Sequence, residues 1–209
     1  MAKIKRPVNK RNIPPDLILI VTEGEKTEPL YFERFPIHTT KVVKKVIGTG
    51  TNTLSLVRET DIEVQKAIDD YKRDYDTKLS PKDIVVWCVF DRDSFTPSNF
   101  GNAINSARAK GYRVAYSNEA FELWYLLHFN YYDSAFSRDR YKSMLTNLLH
   151  FDYEKNNPRM YDILLCKQSD AIRNATHLLT RYDPLNPSND NPSTTVFELV
   201  DYLNQFVTR

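Results

Sequence analysis

Two stretches free of any charged or polar residue, 17–21 (LILIV) and 84–90 (IVVWCVF), restrict this chain more than any other feature. Both are short for a helix, and neither alternates between apolar and polar. Such runs suit strands covered on both faces, which is the environment of a parallel sheet wrapped by helices. The segments around them keep that rhythm. Residues 27–35 (TEPLYFERF) put Leu30, Tyr31, Phe32 and Phe35 on a helical face, and 41–48 (KVVKKVIG) is β-branched and strand-like. Residues 52–73 predict a helix with a charged outer face. The run 102–111 (NAINSARAKG) predicts another, ending at Gly111 as its C-cap. YRVAYS then reads as a strand and NEAFELWYLLHF as an apolar helix. The expected architecture is an α/β core over 15–130, preceded by a basic tail, 1–14, and followed by a mostly helical extension, 131–209. In that extension strands are expected to stop, and the closing helix to be capped by Ser193 or one of the two threonines after it.

Acids recur where the strands end. Glu23, Glu25 and Glu28 follow the first strand, Asp91 and Asp93 the third, and Glu119 and Glu122 the fourth. Ligands of open α/β sheets bind beyond the carboxyl ends of the strands. Neighbouring strands lie ~4.8 Å apart, so carboxylates leaving adjacent ends can share one ion. Without a cation they would repel one another. Mg²⁺ is the natural counter-charge, with Mn²⁺ as the alternative, because a few carboxylates plus water satisfy it. At a phosphodiester it orients and polarises the ester and acidifies the attacking water. A single acid after a strand serves equally well as a helix cap; acids at successive strand ends favour the shared ion. His38, His128, His150 and His177 have no metal-ligand spacing, and nothing points to another metal.

The net charge of +2 is too small to announce a nucleic-acid partner. Residues 1–11 carry five basic side chains and no acid, which fits either a solvated tail or nonspecific contact with phosphates. The longest apolar run, seven residues, is far short of the ~20 that cross a bilayer, so no membrane association is expected. The basic start leads into Pro14 and Pro15 rather than an apolar leader. Two cysteines, Cys88 and Cys166, lie far apart in sequence, as in a reduced, cytoplasmic protein without structural zinc. No phosphate-binding GxxxxGK[ST] loop is present.

Other features admit two readings each. Gly48, Gly50 and Asn52, in GTGTNT before a helix, suit a backbone anion site for a nucleic-acid phosphate or, more commonly, a turn needing positive φ. Tyr131, Tyr132 and Tyr141, close to Arg138 and Arg140, could stack bases or simply cover the core. Trp124 and the mid-strand thiol of Cys88 read as core. Lys26 and Arg92, set among the acids, suit phosphate contact or plain ion pairs.

VTEGEKTE after one strand and FDRD after a later one resemble a Toprim domain. ILIVTEGEKTEPLYF, GTGTNTLSLV, FDRDSF, SNEAFELWYLLHF, AIRNA and NPSTTVFELV more narrowly resemble the RloB family, over nearly the whole chain. The resemblance implies a Toprim-like fold and a Mg²⁺-dependent nuclease acting on RNA (tRNA included) or DNA. It further implies a role in antiphage abortive infection and control by an AAA-type ATPase partner; a homodimer is left open. It implies Glu23 as metal ligand or general base, with Asp91 and Asp93 holding the ion. Glu25 and Glu28 would orient water, complete the ion's shell or cap the helix. Glu119 departs from the family pattern, which leaves Glu122 as the better candidate to hold a second ion or to support the ligands of the first. Lys26 and Arg92, sitting among these acids, suit contact with phosphate or with transition-state charge, or plain ion pairs with the neighbouring acids.

Overall fold

The computed structural model describes residues 15–37, 42–50, 53–76, 79–92 and 95–207. Five strands form one sheet: β1 (Asp16–Thr22), β2 (Val42–Gly48), β3 (Ile84–Asp91), β4 (Arg113–Asn118) and β5 (Ser193–Thr194). Their order is β2-β1-β3-β4-β5. The first four strands run parallel and β5 pairs antiparallel to β4. This is the α/β sheet flanked by helices that the apolar runs predict. β1 and β3 sit centrally, which explains why their sequences carry no polar alternation.

Alternate residues of the central strands enter two separate cores, as the two-residue period of a strand requires. Leu17, Leu19, Val21, Val86, Cys88 and Phe90 meet α2 (Thr53–Tyr75) and α3 (Pro97–Ala109) on one face. Ile18, Ile20, Trp87, Val89 and Ala115 face the other side. There they pack with α1 (Thr27–Glu33), α4 (Glu122–Leu127), α5 (Arg138–Leu149), α6 (Met160–Leu164), α7 (Gln168–Leu179) and α8 (Val196–Asn204). Helices following Asn130 thus share a core with α1 and α4. Trp124 is fully buried there, and Cys88 is buried in the opposite core, where desolvation pushes its thiol up to about 12. Among the described residues no helix is long and apolar enough to cross a membrane.

One expectation fails in the C-terminal part. Strands do not stop after Asn130, because Ser193 and Thr194 extend the sheet; Thr194 Oγ1 also accepts from the Val196 amide at 3.3 Å, so one of the expected threonines does meet the first amide of α8. Thr195 occupies the cap position but makes no capping side-chain bond. Its hydroxyl instead accepts from the Tyr116 amide at 3.1 Å, while Thr194 Oγ1 donates to the Tyr116 carbonyl at 2.9 Å. A two-residue polar strand has neither length nor periodicity to announce itself.

α1 is held by a lysine from the neighbouring strand. Lys44 Nζ donates to the carbonyls of Phe32, Glu33 and Phe35 at 2.6, 3.0 and 2.9 Å. Phe32 and Glu33 are among the last carbonyls of α1, where a helix end runs short of donors, and Phe35 lies just beyond it. Burial pushes the ammonium down to about 8, partly offset by Glu33. Lys44→Met is expected to lower unfolding stability by about 2 kcal/mol, the scale of charge-assisted bonds to carbonyls. Urea titration checks this; an unchanged midpoint would mean water replaces the lysine at no cost.

Candidate active site

β1 and β3 lie side by side, so the residues leaving their carboxyl ends emerge together. The Glu23 amide donates to the Val89 carbonyl at 3.1 Å, which carries the chain leaving β1 across the end of β3. Glu23 Oε2 then accepts from the Asp91 amide at 3.3 Å. Asp91 closes β3, and the next amide, Arg92, donates to the Ser117 carbonyl of β4 at 2.9 Å. The adjacent strand ends predicted to gather acids do gather Glu23 and Asp91.

The turn between β1 and α1 adds a third acid. Thr22 Oγ1 donates to the Gly24 carbonyl at 2.8 Å, folding the chain tightly before the helix. Glu28, in the first turn of α1, is only 4% exposed and its carboxyl lies against Gly24. A Cβ at Gly24 would fall 2.3 Å from Glu28 Oε2, so only glycine admits the acid there. Gly24→Ala is therefore expected to displace Glu28 from its buried place and to flatten the dependence of the melting temperature on pH between 5 and 8, with the circular dichroism spectrum unchanged. An unaltered dependence in that variant would show that the added methyl leaves Glu28 where it is.

Glu122 opens α4 on the far wall. It is also 4% exposed, accepting from Tyr153 Oη at 3.2 Å with Lys155 Nζ 3.4 Å away. Arg138, at the start of α5, places Nη2 3.8 Å from Asp91 Oδ2. Together these groups line a cleft of about 440 Å³. Five carboxyls, from Glu23, Glu25, Glu28, Asp91 and Glu122, face three cations, Lys26, Arg138 and Lys155. Fully charged, the lining carries an excess of two negative charges, which one divalent cation cancels.

Burial strains this arrangement electrostatically. It pushes the Glu28 carboxyl up to about 7, with the charge of Glu122 adding to the effect. The backbone amide of Glu28 itself, Lys155 and the Gly24 amide oppose it. Asp91 is raised well above the usual carboxylate range by burial, then by Glu28 and Glu122, against the pull of Arg138. Asp91 Oδ1 is buried without a hydrogen-bond partner. A buried acceptor left in that state costs free energy unless something outside the chain meets it.

Among the described residues no three acids already stand close enough to hold an ion. The donor set nevertheless suits Mg²⁺, which is hard, takes oxygen ligands and keeps much of its water. Asp91 offers an unused oxygen, and Glu23 stands over the same strand end. Asp93, the other half of the DxD pair, lies outside the described residues, as does Asn52.

The remaining predicted residues divide. Lys26 and Gly50 line the cleft; Glu119, Arg92 and Gly48 do not. Gly50 has φ +62, and a Cβ there would meet Glu25 Oε1 at 2.2 Å. At Gly48 a Cβ would lie 2.7 Å from the Gly24 carbonyl oxygen. Both glycines let the β2–α2 turn press against the acidic turn. Of the three tyrosines, Tyr141 is buried and Tyr131 stacks on His177 at 4.8 Å. Lys155 and Tyr153 are absent from the sequence-based set, and Arg138 enters it only beside those tyrosines. They reach the acids from distant parts of the chain, and a Lys or Tyr in polar surroundings gives no local signal.

A family model described as RloB-like protein matches residues 18–203. No curated protein and no solved structure matches the chain.

Proposed function

The chain belongs to the RloB-like protein family, and we propose that it is a Toprim-like, Mg²⁺-dependent nuclease that hydrolyses phosphodiester bonds in RNA or DNA. The observation that carries this reading is Asp91. A buried carboxyl with one oxygen unpartnered, beside Glu23 at adjacent strand ends, is a costly arrangement that a hard cation would stabilise. Perturbed acids of this kind, gathered in a cleft, mark functional sites.

Glu23 and Asp91 would hold the ion, with Glu122 facing them across the cleft. Bound there, Mg²⁺ or Mn²⁺ supplies positive charge at the phosphate and acidifies the attacking water. Glu28, brought to about 7 by burial, is matched to taking a proton from that water at neutral pH. Glu23 could serve the same step as a base. Arg138 and Lys155 offer fixed positive charge to the phosphate oxygens as negative charge develops on them, and Lys26 does so from the exposed rim. Backbone contacts of this kind read no bases, so they leave RNA and DNA undistinguished. Antiphage action and control by an AAA-type ATPase rest on the family resemblance alone.

The test is incubation of the full chain with end-labelled tRNA, other RNA and DNA, in Mg²⁺ or Mn²⁺, with product masses measured. Shortened polymers that vanish with chelator and in Glu23→Ala are expected. Metal-independent binding with every polymer intact, also with an ATPase partner added, would make the chain a nucleic-acid-binding or sensing module instead.

A further inference from the structure

A second cavity, of about 480 Å³, lies at the opposite end of the sheet from the acids, and its argument is independent of the nuclease reading. It is lined by residues from both faces of the sheet. Arg108 and Tyr112 come from the side of α3, and Glu198, Asp201 and Tyr202 from α8. Val114 of β4 lies between them. A lining drawn from both faces places this cavity along the outer edge of β4, with one helix on either side.

That edge is incompletely used. The Thr195 amide donates to the Tyr116 carbonyl at 2.9 Å, and the Tyr116 amide to Thr195 Oγ1 at 3.1 Å, so the peptide groups of Tyr116 face away from β3. Backbone polar groups alternate sides along a strand, which turns the amide and carbonyl of Val114 to the same outer side. β5 pairs only with Ser117 and Asn118 before the chain turns into α8. Among the described residues no partner strand reaches Val114 on that side. Beside it, the Arg113 guanidinium carbon lies 5.6 Å from the Trp87 ring centroid and 4.6 Å from that of Tyr202. This cluster is a wall of the residue types that dominate protein interfaces, its two rings tilted by 44° to each other.

We propose that this groove binds an extended segment of a second protein, which adds to the β4 edge by pairing with Val114. An extended backbone is the occupant because the groove offers one outward amide and one outward carbonyl on a strand edge, flanked by a helix. Its walls also differ in charge. Arg108 stands alone on the α3 side, while the α8 side carries two carboxyls, Glu198 and Asp201, against the one guanidinium of Arg113 over Tyr202; Arg108 is near enough to oppose the upward push of burial on Glu198. Side chains of an added strand point alternately to the two faces. The segment that fits therefore carries acidic residues toward Arg108 and basic residues, at alternate positions, toward Glu198 and Asp201.

Short peptides selected from a displayed random library on the full chain, then synthesised, test this. The selected peptides should alternate acidic and basic residues and shift the Val114 amide resonance. N-methylation of the peptide backbone at one parity should weaken binding at least ~10-fold, and at the other parity should leave it unchanged. Arg108→Glu and Glu198→Lys should each weaken binding by a similar factor. If either variant fails to fold, the N-methylated series on the unaltered chain decides alone. Selection of no peptide overturns the proposal, as does indifference to N-methylation at both parities. A Val114 amide already protected from exchange in the isolated chain overturns it too. A concentration-dependent dimer abolished by Val114→Pro would assign the edge to a second copy of this chain and also overturn it.

Discussion

Asp91→Ala is expected to lower metal-dependent cleavage by at least ~10³-fold while leaving the melting temperature equal or higher. The two halves of this result have one cause. Asp91 sits at the end of a central strand, where burial and the neighbouring acids disfavour its charge, and where Oδ1 meets no donor. The fold gains little from a carboxylate held in that way, so its removal should not unfold the protein. Chemistry that depends on a cation loses its central ligand. Glu23→Ala should behave similarly, since Glu23 Oε2 is tied to the Asp91 amide. Arg138→Ala should cost less, about 10- to 100-fold, because Lys155 and Lys26 remain to meet the phosphate. Rates on a labelled polymer, taken beside thermal melts of each variant, check all three. Cleavage retained in both the Asp91 and Glu23 variants would end the reading of these strand ends as a metal-dependent nuclease site.

A second large effect concerns pH and stability in the absence of metal. In chelator, the protein should lose stability as pH rises from 5 to 8. Glu28 has an ordinary value of 4.5 in the unfolded chain and about 7 in the fold. An acid raised by folding favours the folded state fully below its unfolded value, and that contribution is lost as pH climbs through the folded value. The gap between 4.5 and about 7 corresponds to roughly 3 kcal/mol. Asp91 shifts in the same direction and steepens the loss. Glu28→Gln, which keeps the shape but has no charge to bury, should flatten the dependence and raise the melting temperature at pH 8. Mg²⁺ should stabilise the unaltered chain more at pH 8 than at pH 5, because it competes with protons for the same oxygens. An unaltered chain whose pH profile matches that of Glu28→Gln would show that burial of this acid is not what strains the site.

The parts of this molecule that follow from local chemistry could be read without coordinates. Runs 17–21 and 84–90 belong to strands buried on both faces, and that environment removes the polar alternation by which other strands are disguised. Strands that run parallel and adjacent bring their carboxyl ends together, so Glu23 and Asp91 could be paired from their positions in sequence. Gly111, with φ +82 after α3, ends its helix as its residue type predicts. What escaped depends on tertiary approach. Arg138 and Lys155 meet the acids from elements 47 and 64 residues beyond Asp91 along the chain, and nothing in their own neighbourhoods marks them. β5 is polar and two residues long, and it exists only because Tyr116 and Ser117 offer it partners. The constraint on Gly24 likewise appears only once Glu28 has folded back against it.

Calorimetric titration of Mg²⁺ or Mn²⁺ into the full chain and into Asp91→Ala, both at pH 8, tests the central claim most directly. Saturable binding by the unaltered chain that is lost in the variant is the predicted result. Equal binding by both, or none by the unaltered chain, would contradict a cation site at the ends of β1 and β3.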